Sequence, residues 1–386
     1  MKVAIIGAGA TGLSAAYDLS SWGHEVTIYE RESFIGGHAS TFDVAGVPVE
    51  RGYHHWFKSD KHILALCEEI GLASRVKWFH STVGTLYEGH IYNFGTPFDL
   101  LKYKPLSMVN RIRLGLSALK IRKIVNWRSL ENWTAAEWLQ EHLGHKVYEA
   151  FWEPMLRGKF GEEYYREVGM AWVWGKMATR FASRNGIGKE MLGYPIGSFK
   201  EVFEALAGKV VTQGVRINLS TPITKIQPAE DRKINLFVNG ETNPIKFDAV
   251  IASAPSHVFN GITESLEPEY RKKLTEVKYM SAVLLVLVLD KPLSHVYWLN
   301  VADRSVPFVG VIEHTNLVNS SHYQNNHIVY LSNYLTKASK YYAMNKDELM
   351  AAYSPHLLSI NSEFDKSWIR ESHHQVIDGA QPIIGS

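Results

Sequence analysis

Short apolar runs and amphipathic runs alternate at the start of the chain. Residues 2–6 form a short apolar run, residues 7–12 a glycine-rich turn, and residues 13–23 carry apolar side chains at helical spacing. Residues 24–30 read HEVTIYE, with β-branched and aromatic side chains typical of a strand. This order predicts a buried strand, a tight turn, a helix and a second strand. The first thirty residues therefore predict the start of a Rossmann-type α/β domain.

The middle of the chain, residues 57–205, reads mainly as helix and is rich in aromatic residues. Thr134 followed by Glu137 forms a capping box, which predicts that a helix begins there. In residues 102–128 apolar side chains recur at helical spacing, and every charged side chain is basic. This pattern predicts a basic amphipathic helix. Such a helix lies on an anionic membrane surface, receives anionic ligands or presents a solvated basic face.

Composition and charge exclude several classes of protein. Of 386 residues, 46% are apolar and 21% charged, which is typical of a globular enzyme and unlike a disordered chain. The formal net charge of +2 gives no indication of a nucleic-acid partner. One cysteine, Cys67, excludes an internal disulfide and reads as a buried core thiol in a reducing compartment. We expect neither a signal peptide nor a membrane span, and the scattered histidines predict no metal site.

The glycine-rich turn carries the first chemical signal. Gly7 suits the backbone angles of a tight turn, Gly9 lets the chain approach a pyrophosphate, and Gly12 lets the helix pack closely on the strand. The N-terminus of the helix would face the phosphates. Glu30 lies at the end of the predicted second strand, where its carboxylate can hold the hydroxyl pair of a ribose. Its negative charge disfavours the 2′-phosphate of NADP.

A second glycine pair extends this motif. Gly36 and Gly37, followed by His38, come six residues after Glu30. The order resembles that of the flavin-containing amine oxidase superfamily, which includes protoporphyrinogen oxidases, phytoene-type desaturases and, more distantly, UDP-galactopyranose mutases. The resemblance implies an FAD cofactor whose pyrophosphate lies beside both turns. Family members usually have arginine where this chain has His38.

Two later segments match the family in order. Residues 215–226 resemble the strands at which the FAD domain resumes, with Ile223 meeting adenine through its backbone, and residues 247–255 resemble the strand and turn that return to the cofactor. The turn and the resemblance together predict these cofactor-binding residues: Gly7, Gly9, Ala10, Thr11, Gly12, Glu30, Arg31, Gly36, Gly37, His38, Ala39, Ser40, Gly52, Ile223, Ala254 and Pro255.

Residues 49–56 resemble the family segment that runs beside the isoalloxazine ring. Gly52 would permit close backbone approach, and Tyr53, His54 and His55 are the flavin-proximal candidates for catalysis. The alternative is an aromatic core cluster in which both histidines have hydrogen-bond partners. The sequence leaves both interpretations open.

One departure from the family bears on function. Amine oxidases of the superfamily place a lysine near the flavin N5 atom, on a strand that resembles residues 281–289, where this chain has Leu284. The departure favours a desaturase- or porphyrinogen-oxidase-like enzyme that transfers a hydride equivalent from a lipophilic substrate to FAD. Two alternatives stay open: a sugar-nucleotide mutase of the UDP-galactopyranose mutase type, and a non-catalytic FAD-binding module.

The expected fold is α/β, a Rossmann-type FAD-binding domain with an inserted substrate domain of helices plus mixed sheet. Residues 1–56 and 206–260 would form the FAD domain, residues 57–205 a mainly helical region facing substrate and membrane, and residues 261–375 the substrate-domain sheet and helices. Residues 376–386 would begin a truncated C-terminal FAD segment. We expect a cytoplasmic protein that contacts the inner face of a membrane peripherally through residues 102–128.

Overall fold

The computed structural model describes residues 1–185 and 189–385. Its strands are β1 (Lys2–Ile6), β2 (Glu25–Tyr29), β3 (Thr41–Val44), β4 (Val47–Glu50), β5 (Val76–His80), β6 (Val83–Tyr87), β7 (His90–Asn93), β8 (Met191–Pro195), β9 (Arg216–Asn218), β10 (Ile223–Pro228), β11 (Ile234–Val238), β12 (Ile245–Phe247), β13 (Ala249–Ala252), β14 (Tyr279–Leu289), β15 (Trp298–Val301), β16 (Gly310–Glu313), β17 (His327–Leu335) and β18 (Ile369–Pro382).

The helices are α1 (Ala10–Ser21), α2 (Lys61–Glu69), α3 (Pro97–Leu101), α4 (Met108–Lys123), α5 (Ala135–Leu143), α6 (His145–Val147), α7 (Glu153–Tyr164), α8 (Met170–Ala182), α9 (Ser198–Thr212), α10 (Ser256–Ile262), α11 (Pro268–Glu276), α12 (Lys340–Ala343) and α13 (Lys346–Tyr353). A π-helical segment, Tyr148–Trp152, connects α6 to α7. No helix among the described residues is long and apolar enough to cross a membrane.

A four-stranded parallel sheet has the order β13, β1, β2, β9. Residues 3–6 of β1 are buried, as expected for a strand covered on both faces. Leu13 and Ala16 of α1 are buried in the core beside this sheet. Because all four strands run in the same direction, their carboxyl ends meet at one edge, and the glycine turn and Glu30 lie together there.

A seven-stranded mixed sheet forms the second large layer, in the order β18, β14, β17, β16, β15, β6, β7. Its longest buried strand is β14, whose side chains alternate between two cores. Leu284 and Val286 pack in the core shared with the parallel sheet, whereas Val283 and Leu285 pack in the core on the other face. This two-sided burial explains why the run is apolar throughout.

The remaining strands form small antiparallel sheets: β3 with β4, β5 with β8, and β10 with β11 and β12. The helices from α4 to α8 pack around their own core, which includes Leu114, Trp138, Trp152 and Phe160. The capping box is present as predicted: Thr134 and Glu137 exchange hydrogen bonds at the start of α5.

The predicted fold class, an α/β Rossmann-type domain with an inserted domain of helices and mixed sheet, is confirmed. Residues 57–205 hold β5 to β8 in addition to their helices, and three of their residues, 186–188, lie outside the described part of the chain. The predicted boundary at 205/206 falls inside α9, and residues 376–382 continue β18 in the large sheet. The helix α9 therefore crosses the first of these positions, and the strand β18 crosses the second.

Candidate functional site

The first glycine turn is shaped by close backbone contacts. Gly7 has a φ of +106°, and a Cβ on Gly12 would lie 1.9 Å from the carbonyl oxygen of Gly7. A side chain at Gly12 would therefore push α1 away from the end of β1. The packing role predicted for this glycine is what the geometry requires.

The second glycine turn lies directly against the first. The Gly36 amide donates to the Ala8 carbonyl at 2.9 Å, and a Cβ on Gly37 would lie 3.2 Å from the Gly9 Cα. Both turns thus present bare backbone to each other and to the N-terminus of α1. We call the space bounded by residues 7–12, 36 and 37 the glycine cradle.

The N-terminus of α1 opens into this cradle. Gly9 is the N-cap residue and provides no side-chain cap, and Ala10 and Thr11 are exposed. The first amides of a helix have no acceptor within the helix, and they carry the positive end of its dipole. Together with glycines that leave room for close approach, they fit the pyrophosphate of a dinucleotide.

Glu30 lies next to the cradle, at the carboxyl end of β2. Its carboxylate accepts hydrogen bonds from the Ala8 amide at 2.7 Å and the Glu32 amide at 2.9 Å, and it is 8% exposed. The Thr221 amide donates to the Glu30 carbonyl at 2.8 Å, which brings the chain just before Ile223 to this position. The carboxylate is therefore oriented beside the turn, where a ribose would lie.

The other predicted cofactor residues surround the same edge with different exposure. Ser40 is buried, and its hydroxyl has no hydrogen-bond partner among the described residues, which suits a ligand contact. Ala254 and Pro255 directly follow Ser253, whose amide donates to the Ile6 carbonyl beside Gly7. In contrast, the Arg31 side chain is 65% exposed and pairs with Glu32. His38 and Ala39 form a short 3₁₀ turn with Gly37, and burial lowers the pKa of His38.

The predicted flavin-facing residues are enclosed by protein yet keep part of their surface open, as in the wall of a cleft. The Tyr53 hydroxyl lies 3.0 Å from that of Tyr334, and the Tyr53 ring packs edge-on against Trp298 at 5.0 Å between centroids. The Cβ of a residue at position 52 would lie 2.9 Å from Ile377, so only glycine fits there without displacement.

Both histidines of this segment have partners within the protein. His54 Nδ1 lies 2.5 Å from the Gly52 carbonyl, so Nδ1 carries the proton and Nε2 is the free acceptor. His55 Nδ1 lies 3.0 Å from the Tyr297 hydroxyl. Burial lowers the pKa of His55 to about 3, and burial also lowers the pKa of His54. Both rings are therefore neutral near pH 7, and neither is a ready proton donor.

A lysine absent from the sequence-based candidates also reaches this cleft. Lys159 of α7 holds its Nζ atom 3.7 Å from the centroid of the Tyr334 ring, and burial lowers its pKa. Leu284 is buried in β14 and contributes no charge there. The one signal in the sequence was a lysine between Gly158 and Phe160 in a helix rich in aromatic residues. That signal is weak, because most such lysines are solvated.

A buried carboxylate, Glu50, was also missed. It accepts hydrogen bonds from the Tyr194 hydroxyl at 2.9 Å and from the Phe199 amide at 2.9 Å. Burial raises its pKa to about 7, although these hydrogen bonds act in the opposite direction. Glu50 is fully enclosed and links β4 to the start of α9, so its contacts are structural. Among the described residues no group of three or more His, Cys, Asp or Glu side chains could hold a metal ion.

The basic segment 102–128 contains α4, whose apolar stripe faces away from the protein. Val109, Ile112, Leu116 and Leu119 are 67%, 53%, 59% and 52% exposed. The residues of α4 that pack inward are Leu114, Ser117 and Ile121. We call the four exposed residues the α4 stripe. Exposed apolar patches of this kind mark interaction surfaces.

The parallel sheet, the glycine cradle and Glu30 define a dinucleotide-binding α/β protein. The family model described as "Flavin containing amine oxidoreductase" matches residues 10–361. The chain belongs to this family. The match confirms the predicted superfamily and its cofactor, FAD.

Several relatives are similar over much of the chain. The zeta-carotene desaturase of Synechocystis sp. is 27% identical over 286 residues, which cover 66% of this chain and 57% of the relative. The coproporphyrinogen III oxidase of Staphylococcus aureus is 24% identical, with 73% of this chain and 67% of the relative covered. The chain thus spans less than two thirds of the desaturase. The structure of reduced UDP-galactopyranose mutase superposes with a TM-score of 0.75 at 17% identity, covering 98% of this chain and 83% of that one, and shows a shared fold.

Proposed function

We propose that this chain is an FAD-dependent oxidoreductase, desaturase- or porphyrinogen-oxidase-like, that takes a hydride equivalent from a lipophilic substrate. The observation that carries the proposal is the glycine cradle at the N-terminus of α1, with Glu30 beside it. The names of the relatives, a zeta-carotene desaturase and a coproporphyrinogen III oxidase, support the reaction class.

The residues of the chain would divide the work between binding and enclosure. The amides at the N-terminus of α1 would hold the pyrophosphate, and Glu30 the ribose. When bound, FAD supplies the acceptor for the hydride equivalent from a C–H bond of the substrate. Tyr53, Tyr334 and Trp298 would form an apolar wall that positions the substrate and excludes water. Because His54 and His55 are neutral and hydrogen-bonded, we assign them positioning roles.

The absence of a lysine on β14 supports this choice of chemistry. Leu284 is 1% exposed and packs beside Val286 in an apolar core. The strand that carries a lysine in amine oxidases of this superfamily therefore carries only apolar side chains facing this core. Without a lysine on this strand, oxidation of a C–H bond is favoured over oxidation of a protonated amine, whose charge would be costly to desolvate.

We further propose that the α4 stripe docks on the inner face of a membrane and that the protein is otherwise cytoplasmic. The four apolar residues of the stripe each keep more than half of their surface in water. The charged residues of the segment 102–128 are all basic: Lys102, Lys104, Arg111, Arg113, Lys120, Arg122, Lys123 and Arg128. Apolar insertion combined with positive charge is the pattern of a helix that lies on an anionic lipid surface. A lipophilic substrate would be collected there.

The first test is the visible absorption spectrum of the purified chain after addition of FAD and removal of free cofactor. Retained flavin bands support the cofactor site. Bleaching of these bands without oxygen by zeta-carotene in vesicles or by coproporphyrinogen III would support the oxidoreductase. Turnover of UDP-galactopyranose without net reduction would instead select the mutase alternative. Failure to retain FAD at all would contradict the proposal.

A further inference from the structure

The Lys159 ammonium group lies inside the cleft that contains the predicted flavin-facing segment. Its Nζ atom is 3.7 Å from the centroid of the Tyr334 ring, and the Tyr334 hydroxyl is 3.0 Å from that of Tyr53. The helix α7 brings the lysine to this place because it packs on β17, which carries Tyr334. Lys159, Tyr53 and Tyr334 are all enclosed by protein while part of each surface stays open. The three side chains are therefore neighbours.

This ammonium group has no carboxylate to balance it. Among residues 1–185 and 189–385 no Asp or Glu oxygen lies within 4.0 Å of Lys159 Nζ. The three carboxylates of α7 itself are engaged elsewhere: Glu153 pairs with Arg304 at 3.4 Å, Glu162 pairs with Arg157 at 3.1 Å, and Glu163 hydrogen-bonds with Tyr164. The ammonium instead lies over the Tyr334 ring.

Two further positive charges, Lys176 and Arg180, lie close to Lys159. Lys176, on α8, has its pKa lowered by burial and then by the proximity of Lys159 and Arg180. Arg180 already pairs with Glu190 at 2.9 Å. Asp60 acts on Lys176 in the opposite direction, but it does not pair with Lys159. An enclosed cation without a counter-charge is destabilising for the folded chain, so a ligand that supplies the negative charge would be bound favourably.

We infer that Lys159 binds an anionic group, a carboxylate or a phosphate, on an otherwise apolar substrate. This inference rests on the proposed function, because it requires the substrate to enter the cleft beside Tyr53 and Tyr334. The apolar part of the substrate would lie against these rings, and the acidic group would be held by a charge-assisted hydrogen bond. The substrate class is then an acidic amphiphile.

The test compares ligands that differ in the head group alone. Octanoate, octyl phosphate and octanol are titrated calorimetrically into the FAD-loaded wild type, Lys159→Met, Lys159→Arg and a control, Lys291→Met. Lys291 also lies over an aromatic ring, at 5.0 Å from Trp368, but it is exposed. Lys159→Met should weaken the binding of octanoate and octyl phosphate by about 10-fold or more, which corresponds to the loss of one charge-assisted hydrogen bond. Octanol should bind all four proteins equally, Lys159→Arg should retain the anions, and Lys291→Met should behave as the wild type.

Three results would overturn the inference. The first is that the wild type binds octanoate no better than octanol. The second is that Lys159→Met binds octanoate as well as the wild type does. The third is that Lys159→Met weakens the binding of octanol as much as that of octanoate, which would indicate lost packing. The flavin spectrum of each variant is recorded separately. If the chain does not retain FAD, the proposed function fails, and the same titration of the flavin-free chain still decides whether Lys159 binds anions.

Discussion

Replacing Leu116 and Leu119 with serine should weaken binding to anionic membranes without unfolding the protein. The two residues are 59% and 52% exposed, so roughly half of each side chain is available for burial in lipid. Complete burial of a leucine side chain is worth about 1.5–3 kcal/mol, and half of this is about 1 kcal/mol for each residue. The double variant should therefore lose about 2 kcal/mol, which corresponds to a partition coefficient roughly 30-fold lower.

The assay is cosedimentation with vesicles of phosphatidylcholine and phosphatidylserine at low ionic strength. The control is a second double variant, Val211→Ser with Leu358→Ser, because these residues are 54% and 52% exposed and lie outside residues 102–128. The control should bind as the wild type does, and added salt should weaken binding by every protein that docks. Unchanged binding by Leu116→Ser/Leu119→Ser, or an equal loss in the control, would refute the α4 stripe as the docking surface.

Two further predictions concern the glycine cradle and Glu50. Gly37→Ala should lower FAD affinity by about 10-fold or more, because its Cβ would lie 3.2 Å from the Gly9 Cα inside the cradle. The control is Gly89→Ala, which is also at positive φ but whose Cβ would meet nothing within 4 Å, so it should cost only about 1 kcal/mol of folding stability. FAD affinity is measured by fluorescence titration. Equal FAD affinities of Gly37→Ala and Gly89→Ala would contradict the role of the cradle. Burial raises the pKa of Glu50 to about 7. Between about pH 4.5 and 7 the folded state therefore keeps a proton on Glu50 that the unfolded state has released. The contribution of Glu50 to folding stability is then lost as pH rises from about 4.5 through 7. The free energies of unfolding of Glu50→Gln and of the wild type are measured in urea at each pH. The difference between them should shift in favour of Glu50→Gln by about 3 kcal/mol from about pH 5 to about pH 8. A difference that stays constant over this range would show that Glu50 does not titrate there.

The sequence predicted best those features whose cause lies within a few residues. Thr134 and Glu137 meet across a single helical turn, so the start of α5 could be read directly. Gly7 and Gly12 approach each other within one turn, and Glu30 ends the neighbouring strand. Cys67 was predicted as a core thiol and is fully buried, because a free cysteine on the inner face of a helix packs as a small apolar side chain.

Features that depend on distant contacts could not be predicted in the same way. Helical spacing showed that Val109, Ile112 and Leu116 share one face of α4, but spacing does not reveal whether the protein or the solvent meets that face. The strands β5 and β8 were not expected within a region that reads as helix, because they pair with each other from opposite ends of that region. The local hairpin of β6 and β7 was missed as well. The environment of Lys159, on α7, likewise depends on Tyr334, which belongs to the distant strand β17.

The α4 stripe and Lys159 depart from ordinary burial in opposite directions. The stripe leaves apolar side chains in water, and Lys159 is a largely enclosed ammonium group with no carboxylate within 4.0 Å among the described residues. Each arrangement lowers the stability of the folded chain, since burying the stripe or pairing the lysine would stabilise it. Departures from local folding rules are expected at functional sites, where a ligand supplies the missing contact. Both proposals together would describe a protein whose stripe contacts a membrane and whose lysine orients a lipophilic acid taken from that membrane.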